Sequence, residues 1–227
     1  MIICNNVCKE FTSGKSFYAV NNVLLRIKKG EFVAVIGKSG SGKSTLMNMI
    51  GLIEQPTSGD IHIDGVSVNK MKPSELAHLR NKKIGYIFQS FYLEYAYPVY
   101  RNVEMPLLIS NVEKKLRRQR VEHCLDMVGL LEKVNATAGD LSGGEKQRVC
   151  IARAIANNPD IILADEPCGN LDSENTENIM NILSELNKQG KTILLITHSM
   201  DEADKAERKI IMKDGKAGTE NENQIML

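Results

Sequence analysis

The run Glu31-Phe32-Val33-Ala34-Val35-Ile36, passing directly into Gly37-Lys38-Ser39-Gly40-Ser41-Gly42-Lys43-Ser44-Thr45, constrains this chain more than any other stretch. Its first part is nearly all apolar, the pattern of a strand buried on both faces of a mostly parallel sheet. Its second part meets G-x-x-x-x-G-K-[ST] at every required position. Residues 45–53 read as the helix that should follow. Strand, glycine turn and helix together make an anion cradle. The glycines permit backbone geometries that a Cβ would block, and the helix N-terminus adds about half a positive charge aimed at the same point. Triphosphate binding suits such a cradle, with Lys43 reaching the β- and γ-phosphates and the Ser44 hydroxyl holding Mg²⁺. A solvated Gly/Ser loop is the alternative, and the flanking pattern argues against it.

At 227 residues the chain suits one domain, or one core with a smaller subdomain. Lys and Arg number 29 and Asp and Glu 28, a formal charge of +1, so overall electrostatics point to neither nucleic acid nor an anionic membrane. The five cysteines, Cys4, Cys8, Cys124, Cys150 and Cys168, are odd in number and include no C-x-x-C pair. That pattern argues against a disulfide framework or a zinc site and for a reducing compartment. The longest strongly apolar runs, such as Ile193-Leu194-Leu195-Ile196, fall far short of the roughly 20 residues a membrane span needs. The sequence therefore reads as a soluble, cytoplasmic chain whose membrane business passes through another protein.

In chain order, the first thirty residues read as β-structure, with Val23, Leu25 and Ile27 alternating. Phe11 ends the first strand-like segment and is either a core aromatic or a π-face for a nucleobase. Ile61 and Ile63 mark a short strand before an Asp64-Gly65 turn, and residues 73–80 resemble a helix. Residues 84–88 are strand-like and end at Gln89, a neutral group able to accept from a water or bind a metal ion.

Seven of the eleven Phe and Tyr residues fall between Tyr86 and Tyr100. They form either a protein contact surface or the core of a small subdomain. Residues 113–128 are helical, with Val121, Cys124, Leu125 and Val128 on one face. The basic run Lys114, Lys115, Arg117, Arg118 and Arg120 is a solvated face or, in the minority reading, a contact for anionic headgroups.

Leu141-Ser142-Gly143-Gly144-Glu145 precedes a helix and forms a capping box, Ser142 with Glu145. Two glycines at a helix start cost stability, which the capping box does not explain. Bare N–H groups at the positive end of a helix dipole make a second anion site. Ile161-Ile162-Leu163-Ala164 is another buried strand and ends in Asp165-Glu166. Asp165 stands where Mg²⁺ is held beside a phosphate loop, and Glu166 is placed to orient the attacking water. Asp172 or Ser173 caps a helix carrying Ile179, Ile182, Leu183 and Leu186. Residues 192–197 form a third buried strand, and His198 at its carboxyl end reads as a γ-phosphate contact.

Taken together, these motifs resemble those of the ATP-binding subunits of ABC transporters over nearly the whole chain, to about Gly215. The loop from Gly37 is similar to the Walker A motif, 161–165 to Walker B with Glu166 as its catalytic glutamate, and Gln89 to the Q-loop residue. Residues 141–148 match the ABC signature, Gly169-Asn170-Leu171-Asp172 the D-loop, and Thr197-His198 the switch histidine. Phe11 lies where the family places its adenine-stacking aromatic.

The resemblance implies an α/β fold: a P-loop NTPase core with a mostly parallel sheet, an N-terminal antiparallel β-subdomain and an inserted helical subdomain. It implies a single ATP-binding domain, with 1–89 and 158–216 as ATPase core, 90–157 as the helical subdomain with the signature, and 217–227 as a polar tail. The implied catalytic set is Glu166, His198, Lys43 and Gln89. ATP is implied to contact Phe11, Gly37 to Thr45, Ser142, Gly143, Gly144 and Asp172, and Mg²⁺ to be held by Ser44, Gln89 and Asp165.

In this family the signature of one subunit caps ATP on the phosphate loop of another, so the expected partners are a second copy, head to tail, and a separate permease, with no nucleic acid. The expected place is the cytoplasmic face of the cell membrane. Residues 51–59, 84–89 and 102–107 resemble the branch serving lipoprotein release, macrolide export and antimicrobial-peptide export. A non-transport ABC ATPase and a regulatory module are the alternatives. Three positions depart from the branch pattern: Cys168 in place of threonine, Ser199 in place of aspartate, and Ala138-Gly139-Asp140 in place of a Pro-containing segment.

Overall fold

The computed structural model describes residues 1–13 and 15–218. Along the chain lie β1 (Ile2–Ser13), β2 (Lys15–Ile27), β3 (Phe32–Ile36), α1 (Lys43–Ile50), β4 (Ser58–Ile63), β5 (Val66–Ser67), α2 (Pro73–Lys83) and β6 (Ile84–Ile87). They are followed by α3 (Val99–Ile109), α4 (Lys114–Met127), α5 (Gly143–Ile155), β7 (Ile161–Asp165), α6 (Ser173–Lys188), β8 (Thr192–Ile196), α7 (Met200–Ala203), β9 (Arg208–Lys213) and β10 (Lys216–Gly218). Two compact units result, one made of residues 1–78 with the segment from Thr192 onward, the other of residues 79–191.

In the first unit, β1 pairs antiparallel with β2 on one side and β4 on the other, and β4 pairs with β5. Val23, Leu25 and Ile27 turn inward, as their alternation demands. The β4–β5 hairpin closes through Asp64 (φ 50°) and Gly65 (φ 83°), the two-residue turn whose twist matches the flanking strands. A second sheet in this unit runs parallel from β3 to both β8 and β9, with β10 antiparallel on β9. All five residues of β8 are buried, which is why it reads as a continuous apolar run rather than an alternating one.

In the second unit, β6 and β7 pair in parallel, with α3, α4, α5 and α6 carrying most of its apolar burial. Close packing of β6 on α5 admits no side chain at Gly85, whose Cβ would overlap the Ala154 carbonyl.

Several expectations need correction. The first helix begins at Lys43 rather than residue 45 and ends at Ile50, because Gly42 supplies its N-cap directly. Residues 217 and 218 belong to β10 rather than to a tail; the rest of the expected tail lies outside the described residues. Helix α3 begins where the aromatic run ends and had no sequence expectation of its own; Pro106 lies inside it. Ile182 is only partly covered, while Met180 takes a place in the core.

Arg117 departs from the solvated-face reading. Its Nε donates to Glu104 Oε1 at 2.8 Å and its Nη1 to the Val112 carbonyl at 2.6 Å, while Tyr100 and Arg101 donate to the same buried carboxylate. Burial alone would raise the Glu104 pKa. Hydrogen bonds from Arg117 and Tyr100, with the charges of Arg117 and Arg101, outweigh it and hold the carboxyl below its usual range.

Candidate functional site

The phosphate loop leaves the carboxyl end of β3 and enters α1 through Gly42, whose left-handed backbone (φ 99°) suits glycine. A Cβ there would overlap the Ala19 carbonyl oxygen, so the close approach of β2 excludes any other residue. No side chain caps α1. Its leading N–H groups and the positive end of its dipole are thus left to whatever the loop binds.

Lys43 is buried along its stem, and its Nζ donates to the carbonyls of Gly37 and Lys38 at 2.8 and 3.0 Å. The ammonium therefore lies within the curve of the loop, with two of its three donors holding that curve. Ser41 Oγ is buried without a hydrogen-bond partner in the structure, and Ser44, three residues further on, is exposed. Orphaned and exposed hydroxyls in a loop carrying a lysine fit an oxygen-rich anion with its divalent cation. Among the described residues no group of three or more His, Cys, Asp or Glu could hold a metal ion.

Strand β8 places His198 on the same sheet edge as this loop. The parallel register pairs Val35 with Ile196, and Thr197 donates its N–H to the Val35 carbonyl at 3.3 Å. His198 is exposed there. The segment after it is locked by Ser199, which caps α7 through Glu202 N, and by Thr197 Oγ1, which donates to Glu202 Oε2 at 2.6 Å. Serine thus fills the cap position that aspartate would fill. Phe11 is neither buried nor bare: Phe17 packs against it with ring centroids 5.9 Å apart, and Lys9 Nζ lies 5.2 Å from its centroid. Phe11 is thus a half-buried ring rather than a fully buried core aromatic.

The second unit gathers the other expected residues on one edge of its own strand pair. Register pairs Ile87 with Ala164, so Gln89 and Asp165-Glu166 both leave carboxyl ends of neighbouring parallel strands. Glu166 takes a left-handed backbone (φ 45°), and its carbonyl accepts from Gly169 N at 3.1 Å. A non-glycine residue held there marks stored strain, and such strain clusters at functional sites. A Cβ on Gly169 would lie 3.3 Å from Gln89 Nε2, so the glutamine amide sits directly against the turn that follows Glu166. The Asp165 charge adds to burial in raising the Tyr86 pKa. Cys168 is 4% exposed, with Sγ 4.0 Å from the Thr176 carbonyl.

The signature residues open α5. Ser142 accepts from Glu145 N at 3.3 Å while its own N–H donates to Glu145 Oε2 at 2.8 Å, completing the capping box. The two glycines differ. Gly144 is buried, and a Cβ would overlap Asn175, a residue that hydrogen-bonds Asp172. Gly143 is exposed and would meet only Leu171 Cδ2, at 3.7 Å. Packing within the chain therefore explains Gly144, a reason invisible in the sequence, and leaves Gly143 unexplained. Asp172 caps α6 by accepting from Asn175 N at 2.8 Å, a bond that also lowers its pKa. Asn175 carried no sequence signal, since its contacts with Gly144 and Arg148 join it to a distant segment.

The family model for "ABC transporter" matches residues 20–169. The ABC transporter ATP-binding protein YvrO of Bacillus subtilis strain 168, itself uncharacterised, is 46% identical over 216 residues, covering 95% of this chain and 94% of YvrO. The macrolide export ATP-binding/permease protein MacB of Psychrobacter cryohalolentis is 46% identical over 208 residues, 91% of this chain but 31% of MacB. Among solved structures, the dimeric ABC transporter cassette MJ0796, from Methanocaldococcus jannaschii, aligns at a TM-score of 0.89 and 44% identity over 96% of this chain and 98% of that one. The same cassette in a post-hydrolysis state bound to ADP and Pi gives a TM-score of 0.89 at 43% identity over the same shares.

The chain belongs to the ABC transporter family, as one of its ATP-binding cassettes. It has the P-loop NTPase α/β fold and is an ATPase that uses ATP with Mg²⁺. No helix among the described residues is long and apolar enough to cross a membrane.

Proposed function

We propose that this chain is the ATP-driven subunit of a membrane exporter, working as a head-to-tail pair on the inner face of the cell membrane with a permease on a separate chain. The observation that carries this reading is Gly143, a helix-start glycine left exposed and uncrowded by its own chain. A bare N–H at that point serves a ligand from outside, which a second copy's ATP supplies. The dimeric state named for MJ0796 and the permease joined to the cassette in MacB support the two partners. The domain division follows the family: 1–89 and 158–216 as ATPase core, 90–157 as helical subdomain.

Each residue then has a task. Lys43 and the loop amides neutralise the phosphates, and the Phe11 ring stacks on the base. Ser44, Asp165 and Gln89 are the groups that would hold Mg²⁺, which when bound spreads charge from the β- and γ-oxygens. Glu166 accepts a hydrogen bond from the attacking water and so orients it, and His198 donates to the γ-phosphate. Ser142 and Gly143 of the second copy add donors to the same phosphate, and Asp172 lies at the junction between copies. Closure on ATP and reopening after hydrolysis drive the permease through the Gln89 loop.

Affinity purification from detergent-extracted membranes tests the reading. A multispanning membrane protein should accompany the wild-type chain, and ATP should drive translocation once both are placed in vesicles. Lys43→Ala should retain the partner and lose nucleotide binding. Recovery of the chain with no membrane protein, from cells expressing it at native level, would overturn the transport role.

A further inference from the structure

The segment 88–97, which contains Gln89, has no helix or strand of its own, yet its carbonyls are taken up by the segment bearing the signature. Gln147 Nε2 donates to the Phe88 carbonyl at 3.4 Å, Cys150 Sγ to Phe91 at 3.1 Å, and Arg153 to Phe91 and Tyr92 at 2.8 and 2.5 Å. Gly139 and Ala138 donate their N–H groups to the Tyr95 and Tyr97 carbonyls at 2.9 and 3.0 Å. Gln147, Cys150 and Arg153 recur three residues apart, and so share one face of α5.

The side chains of the loop follow the same division. Phe88 stacks on Tyr86 at 4.1 Å between centroids and meets the edge of Tyr92 at 5.1 Å, while Tyr92, Tyr95 and Tyr97 remain exposed. Lys146, one residue past the capping box, lies over the Tyr95 ring at 5.4 Å. Tyr92 has a left-handed backbone (φ 47°), uncommon for a bulky residue and kept only where its surroundings over-determine it. The surroundings here include the Arg153 guanidinium, whose planar fork spans two successive carbonyls as an ammonium cannot. Burial pushes the Cys150 thiol up to about 11 against the opposing charge of Arg153, so it stays a protonated donor.

We propose that Arg153 is a positioning residue: it clamps the loop after Gln89 to the signature helix, so that Gln89 and Ser142-Gly143-Gly144 move as one body when ATP is engaged. The loop is bound through backbone carbonyls, which leaves its tyrosine rings outward while any displacement of them is passed to α5. The functional half of the proposal rests on the roles given above to Gln89 and the signature.

The test uses the full chain with Arg153→Lys and Arg153→Ala, each alone and combined with Glu166→Gln. Peptide-resolved hydrogen–deuterium exchange and maleimide labelling of Cys150 read the clamp. The ATP dependence of dimerisation reads its consequence. Loss of the bidentate contact should speed exchange across 88–97 about tenfold or more, as charge-assisted bonds that hold a local structure are removed. Cys150 should label faster, while buried Cys4 and Cys124 and strands β7 and β8 keep wild-type protection. Half-saturating ATP for dimerisation should rise about tenfold, a loss of about 1.4 kcal/mol.

Three results would overturn the proposal: unchanged exchange at 88–97, labelling of all the buried cysteines together as in general loosening, or faster loop exchange with unaltered ATP dependence. If Glu166→Gln with Arg153 intact fails to dimerise, the head-to-tail reading fails instead, and exchange and labelling alone decide the clamp.

Discussion

Substituting the paired glycines one at a time separates packing from ligand binding. At Gly144 the new Cβ overlaps Asn175 Oδ1 and Cγ and lies 3.0 Å from Nδ2. Asn175 cannot swing aside without breaking its bonds to Asp172 at 3.0 and 2.9 Å and leaving Arg148, 3.5 Å away. Overpacking of this kind costs about 1–3 kcal/mol, offset by the roughly 0.5–1 kcal/mol that alanine gains over glycine in a helix. The expected net loss relative to wild type is about 0–2.5 kcal/mol, or up to roughly 10 °C in Tm at about 2–4 °C per kcal/mol for a chain of this size, and relative to Gly143→Ala it is the full overpacking cost of about 1–3 kcal/mol. Gly143→Ala, with its nearest contact at 3.7 Å, should melt with wild type or slightly above. It should nevertheless lose ATP-dependent dimerisation, because the outward-facing methyl would stand where the second copy's nucleotide has to approach the Gly143 N–H. Thermal melts followed by circular dichroism, with light scattering in Mg·ATP, measure both effects. A Gly144→Ala chain as stable as Gly143→Ala, or a Gly143→Ala chain that dimerises normally, would refute the reasoning.

Glu104→Ala strands Arg117 beside a buried gap and should cost about 3–5 kcal/mol in urea unfolding, with Glu104→Gln costing less. Because the Glu104 carboxyl sits below its usual value in the folded chain, its stabilisation is present above the unfolded pKa of about 4.3 and is lost as pH falls through the folded one. Acid titrations of wild type and Glu104→Gln should therefore converge on the acid side. Alkylation with a small maleimide should mark Cys8 first and leave turnover intact, since Cys168 is buried. Inactivation in step with Cys168 labelling, read by mass spectrometry, would contradict that.

Much of the fold was legible because the parallel strands are continuous apolar runs that end in chemistry. Strand β3 runs into the phosphate loop, β7 ends at Asp165, and His198 stands just past β8. Gln89, Glu166 and His198 sit one or two positions beyond such a run, where sequence and geometry coincide. Helix α3 was not legible, because prolines at 98 and 106 and a mixed aromatic run mask its period. Contacts that join distant segments were also hidden. The Arg117–Glu104 pair, the Asn175 obstruction beneath Gly144 and the Arg153 grip on two carbonyls depend on tertiary proximity, which no local pattern encodes.

In the proposed working state two copies enclose ATP between the lysine loop of one and the signature of the other. Glu166→Gln, which keeps the size of the side chain and weakens its pull on the attacking water, should stop turnover and trap that state. Sedimentation of the purified variant with and without saturating Mg·ATP, with bound nucleotide counted in each species, measures it. A monomer is expected without ATP and, with it, a dimer carrying one ATP per chain; a chain that binds ATP at saturation yet stays monomeric would rule the enclosure out.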